Sequence, residues 1–65
     1  MDEEFLKEFV GQRCSITCDL GELRFYTGLI HELSEGSIVL TDKFGERVVL
    51  STSVIVRIQK VLEDG

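Results

Sequence analysis

The chain has 65 residues, twelve of them acidic and seven basic for a net charge of -5, and 43% are apolar; this leaves room for one small domain spanning residues 1–65. A lone core of this size supplies only about 3–5 kcal/mol. Two cysteines allow at most one disulfide, so self-association is the remaining source of support. No apolar run approaches the roughly 18 residues of a membrane span, and the Met1-Asp2-Glu3-Glu4 start lacks the basic flank of a signal peptide. The expectation is a soluble, cytoplasmic protein with no membrane partner.

The charge sits at the ends. Asp2, Glu3, Glu4, Glu8, Glu63 and Asp64 flank a body, residues 9–62, in which six acids face six bases. The body is neutral, which argues against bulk electrostatic capture of nucleic acid but leaves room for a local basic rim.

In chain order, Phe5, Leu6, Phe9 and Val10 recur at helical spacing over residues 2–10. Asp2 can cap this helix, Glu3 and Glu4 suit its positive end, and Gly11 can end it. So short a helix is marginal alone and must lie on something. From Arg13 to Asp19 the residues Cys14, Ile16 and Cys18 alternate with Arg13, Ser15, Thr17 and Asp19, the signature of a half-buried strand. Leu20-Gly21-Glu22 turns the chain into a long second strand, Leu23 to Leu33, with Leu23 and Phe25 read as inward; Gly28 within it marks a bulge or sharp bend. Ser34-Glu35-Gly36 is a turn, Ile38 to Thr41 a third strand, Asp42 to Gly45 a hairpin tip, Glu46 to Leu50 a fourth strand and Val54 to Leu62 a fifth, after a break at Ser51-Thr52-Ser53.

Five short antiparallel strands, one strongly bent, close most economically into a small all-β barrel over about residues 12–62, with the helix covering one end; an open α+β sheet is the rival. Val48, Val49 and Leu50, like Val54, Ile55 and Val56, are apolar in succession. A barrel interior takes alternate residues only, so the other set must face a covering element. Strand edges this apolar are protected by pairing, and head-to-tail pairing between copies closes into a ring. All six residues are therefore candidate oligomer contacts, against the alternative of a monomer whose helix hides the excess.

Catalytic parts are missing. His31 is the one histidine, and no phosphate-cradling, zinc-protease or nucleophile-elbow motif is present; no catalytic residue, metal site or cofactor is expected. Cys14 and Cys18, four residues apart on one strand, stand roughly 13 Å apart, too far to bridge, and read as buried, reduced thiols. Phe5, Phe9 and Phe25 read as core, Phe44 at a hairpin tip either as a contact residue or as an aromatic folded back onto the barrel. Arg24 and Tyr26 read as an aromatic-plus-cation pair on the outside of the second strand, a composition suited to single-stranded nucleic acid or to surface packing.

The run Gly11-Gln12-Arg13-Cys14-Ser15-Ile16, then Leu20-Gly21-Glu22 and Phe25-Tyr26-Thr27-Gly28-Leu29-Ile30, is similar to the first motif of the Sm and Sm-like proteins, which include bacterial Hfq. Ser37 to Asp42 resembles that family's third strand and Glu46 to Ile58 its second motif, so the likeness spans residues 5–61. It implies an Sm-like, SH3-like barrel assembled into six- or seven-membered rings through the fourth and fifth strands, with single-stranded RNA as partner. Carried onto this chain, the RNA-site positions fall on Ser37 and on Ser51, Thr52 and Ser53, where the family has Asn and Arg-Gly or Tyr-Lys-His, with Arg24 and Tyr26 a second surface. Two functions follow: a non-enzymatic ring subunit that binds RNA weakly, or a protein-interaction scaffold that keeps the ring without RNA.

Overall fold

One strand does the work of two. In the computed structural model, which describes residues 1–62, β2 (Leu23–Ser34) pairs through its first half with β1 (Arg13–Asp19) and through its second half with β3 (Ser37–Asp42). Around its middle, Gly28 lies opposite both Cys14 and Asp42. A Cβ at Gly28 would run into the Thr41 carbonyl oxygen and lie 2.7 Å from the Asp42 Cα, so glycine is required for the approach of the two backbones.

β4 (Arg47–Ser51) adds to β3 and β5 (Ile55–Lys60) to β1, which gives one antiparallel sheet in the order β4-β3-β2-β1-β5. A three-residue 3₁₀ turn, Thr52–Val54, joins the two outermost strands. Cys14, Ile16 and Cys18 from β1, Ile30 from β2, Ile38 and Leu40 from β3, Leu50 from β4 and Ile55 and Ile58 from β5 share a single buried cluster. A sheet whose two margins reach one core has to curl around it. Among the described residues no ladder joins β4 to β5, so both margins keep unpaired edges.

The helix expected over residues 2–10 is shorter and tighter. α1 covers Glu3–Leu6, with the Asp2 side chain accepting from the Glu4 N–H, and continues as a 3₁₀ turn over Lys7–Phe9. Leu6 and Phe9 plug the core, whereas Phe5 stays 45% exposed against the edge of the Phe9 ring. Gly11, at φ +84, donates to the Ile30 carbonyl, and Ile30 returns a bond to Gln12, which ties the plug to the middle of β2.

The inward reading of Leu23 and Phe25 is corrected: they are 58% and 72% exposed, and Tyr26, expected outside, packs against the core. The glycine sets the parity. Gly28 must face inward to meet β3, so Tyr26 and Ile30 face inward with it and Leu23, Phe25 and Leu29 face out, until the bulge at His31 resets the phase and Leu33 packs against the core.

Replacing Gly28 by alanine puts a methyl group into backbone that cannot move aside. Chemical denaturation of Gly28→Ala is expected to show a loss of at least about 3 kcal/mol or failure to fold, whereas Gly45→Ala, at an exposed tip with open space around it, is expected to lose no more than about 1–2 kcal/mol from its positive φ.

Candidate functional site

The polar positions at one end of the sheet do come together. Ser37 and Ser51 are register partners, and the hydroxyls of Ser51 and Ser53 lie 2.8 Å apart, with Ser51 Oγ also accepting from the Ser53 N–H to cap the 3₁₀ turn. Thr52 is a different case: it is buried, its N–H donates to the Gly36 carbonyl at 2.9 Å, and its carbonyl accepts from the Met1 amino group at 2.7 Å. Its side chain is therefore withdrawn from any ligand, a correction to its place in the predicted site. The surroundings are acidic, for Glu35 occupies the turn at φ 48 and the Glu3 carboxylate accepts from the Gly36 N–H. The nearest basic residues in sequence, Arg47 and Arg57, lie on the flanking strands opposite Thr41 and Thr17. The one cation recorded at this end, the Met1 amino group, is bonded to the Thr52 carbonyl, and hydroxyls without an arginine or lysine side chain can hydrogen-bond a base edge or a ribose but give little hold on a phosphate.

Arg24 and Tyr26 do not form the predicted outer pair. Arg24 is exposed but donates to Glu22 at 2.8 Å, and Tyr26 is half-buried against the core. Of the six predicted oligomer contacts, Leu50 and Ile55 belong to the chain's own core and cannot offer side chains to another copy; Val48 and Val54 are partly buried against that core. Val49 and Val56 remain, 61% and 55% exposed on the two edge strands.

A better-formed constellation lies on the outer face of β2, β1 and β5. β1 runs between the other two, so Thr17 has Phe25 on one side and Arg57 on the other, and Ser15 has Thr27 and Gln59. Phe25, Thr17, Arg57, Ser15 and Gln59 line a groove of about 210 Å³. The register of β1 with β5 shifts between Thr17 and Cys18, where Ile55 pairs with Cys18 and Arg57 with Thr17, which leaves Val56 as the extra residue of a bulge. The bulge lets Val56 and Arg57 both face solvent and aims Arg57 across Thr17. Gln59 accepts from Arg57 Nη2 at 3.2 Å and holds the guanidinium in place. An exposed aromatic face, one oriented cation and several small polar groups are what a flat, singly charged ligand can use. Sequence reasoning missed this groove because it assigned Phe25 to the core; the available signal was the glycine parity of β2.

A larger groove, about 550 Å³, is lined by Gly11, Gln12, Arg13, Leu29, Lys60, Val61 and Leu62. Arg13 already has an interaction partner, and Lys60 lies over the Phe9 ring at 5.9 Å. The predicted acidic residues Glu63 and Asp64 lie outside the described residues. Among the described residues no cluster of three or more His, Cys, Asp or Glu could hold a metal ion. Phe44 is 80% exposed at its hairpin tip, with Lys43 against its ring and the Asp42 carboxylate accepting from the Phe44 and Glu46 N–H groups. His31 bulges from the β2–β3 ladder and bonds the Thr41 hydroxyl. No family model, curated protein or solved structure matches the chain.

Cys14 and Cys18 are free and fully buried. Burial pushes both thiols above their ordinary value of 9.0, an effect that Lys60 partly offsets at Cys14. A thiol that ionises less readily in the folded protein favours folding while both states are protonated, and that contribution is lost as pH rises through the raised folded value. Stability is therefore expected to decline above about pH 9, and replacing both cysteines with alanine to flatten that part of the pH profile in denaturant titrations. A thiol-specific chromophore at pH 8 should label neither residue until the chain is unfolded.

Proposed function

We propose that the chain is a non-enzymatic, Sm-like ring subunit that binds single-stranded RNA weakly. The observation that carries the assembly is the pair of open margins: β4 and β5 end one sheet on opposite sides, unpaired among the described residues, each with an exposed valine. An edge of this kind pairs readily with another strand, and joining the β4 edge of one copy to the β5 edge of the next is a heterologous contact that closes into a ring when the rotation permits. The resemblance of residues 5–61 to the Sm-like proteins points to six or seven subunits.

For RNA, the support shifts from the serine loops to the outer face. Phe25 offers a ring for base stacking and Arg57 one charge for phosphate, with Ser15, Thr17 and Gln59 beside them. Stacking contributes about 1–3 kcal/mol per base whatever the sequence. One guanidinium per subunit on a chain of net charge -5 makes the electrostatic share small, so affinity is low and depends on several subunits engaging one strand. The second reading is a scaffold for another protein; the acidic surroundings of Ser37, Ser51 and Ser53 favour it.

Light scattering should give a mass of six or seven chains. Val49→Lys combined with Val56→Lys should return it to one chain with an unchanged circular dichroism spectrum; a monomeric wild-type protein at tens of micromolar would remove the ring. Uridine- or adenine-rich oligonucleotides should bind in anisotropy titrations at about 50 mM salt, with log affinity falling by about 0.7 per tenfold salt for each phosphate neutralised. Phe25→Ala should weaken them at least about fivefold, in line with the loss of one stacked base, and Tyr26→Phe should leave them unchanged. Absence of binding, together with recovery of a protein partner that survives nuclease, would favour the scaffold.

A further inference from the structure

The outer face of β2 is apolar where a solvent-facing sheet is ordinarily polar: Leu23, Phe25 and Leu29 are 58%, 72% and 38% exposed on one side of the strand. Apolar residues on both faces of a strand call for a cover on each. The arrangement of this face says which cover fits. Across three neighbouring strands the central row reads Phe25, Thr17, Arg57 and the next reads Thr27, Ser15, Gln59. A two-fold axis lying parallel to β1 and passing above Thr17 carries β2 of one copy over β5 of the other. Phe25 then meets Arg57 of the second copy, and Arg57 meets its Phe25. In the adjoining row Thr27 meets Gln59 and Gln59 meets Thr27.

We infer that this face pairs with the same face of a second copy, back to back, through two exchanged Phe25–Arg57 contacts. Each contact sets a cation against an aromatic ring, and each is stronger between surfaces that exclude water than on an open face. The two sheets then pack about 10 Å apart in the aligned manner of a sandwich. Their twist swings the ends of β1 apart, where Arg13 and Asp19 would otherwise meet their own copies. Because the contact is isologous it closes at two partners. It involves neither sheet edge, so it joins two chains or, where edge pairing has built rings that carry all their outer faces on one side, two rings. On the proposed RNA reading the same groove is used twice, and face pairing and RNA exclude one another.

Sedimentation velocity on the full chain over a wide concentration range tests this. The wild type is expected to shift from a unit mass, one chain or one ring, to twice that mass as concentration rises. Phe25→Arg sets arginine against arginine and is expected to hold the protein at unit mass. Adding Arg57→Phe to it restores an aromatic opposite a cation at both contacts and is expected to restore the doubling. Both positions are exposed, and circular dichroism checks the fold. No doubling in the wild type, doubling that survives Phe25→Arg, or a double variant that stays at unit mass would each overturn the exchanged pairing. Titrating a uridine-rich oligonucleotide into the doubled species is expected to halve its protein mass. An oligonucleotide that binds without halving it overturns the shared face, whereas one that does not bind removes the RNA reading and leaves the pairing to stand or fall on the mass series.

Discussion

The fold depends on the approach of two backbones at Gly28. β2 can serve β1 on one side and β3 on the other only if it carries no side chain where it crosses from one partner to the next, and Thr41 and Asp42 occupy the space that a Cβ would need. From that contact the rest follows geometrically. Tyr26 and Ile30 face the core with Gly28, β4 and β5 fall at opposite margins, and the curled sheet brings Leu50 and Ile55 into the same cluster from its two ends. The short helix completes the cluster with Leu6 and Phe9, which have no other apolar surface to cover.

Much of this was legible because burial in a curled sheet has a strict period. Cys14, Ile16 and Cys18 alternate with polar residues, and β1 begins and ends where that alternation does. The glycines of the turns and the polar tips placed the remaining strands within a residue or two, since turn chemistry is local and tertiary packing does not alter it. What failed was parity in β2. Leu23 and Phe25 are apolar, and apolarity was read as inwardness, yet Phe25 pairs with Thr17 and, like it, lies on the face of the sheet turned away from the core. Gly28 carried the correct phase all along. Because it is the residue closest to another strand, its neighbours at two-residue spacing had to share its side.

The same parity explains why the candidate site moved. With Tyr26 turned toward the core and Arg24 exposed but paired with Glu22, the expected aromatic-plus-cation pair is split. Their chemical counterparts, Phe25 and Arg57, come from strands that are not adjacent, joined only through Thr17 between them and aimed by a bulge. Linear spacing holds no trace of such a row. It depends on which strands flank β1 and on a one-residue register shift, and both are fixed by packing on the other side of the sheet. The serine loops offer less for a different reason: the Ser51 and Ser53 hydroxyls cap a 3₁₀ turn and bond one another, and the charged side chain that bonds to the turn beside them is the carboxylate of Glu3.

Charge placement bears on how strongly either surface can act. The acids of the N-terminal segment cluster about the helix, while the neutral body presents arginine one at a time. A protein built this way does not gather a polyanion by its field; on the proposed reading, repetition around an assembly has to raise a weak contact to a useful one. Edge pairing and face pairing differ in this respect. In the proposed ring, joining edges would multiply the outer groove and favour any ligand long enough to reach several copies, whereas closing two faces together would remove the groove from solvent. The balance between them rests on Phe25, whose ring is the largest apolar surface the outer face leaves uncovered, and whose exposure is stabilised only when something flat or cationic lies against it.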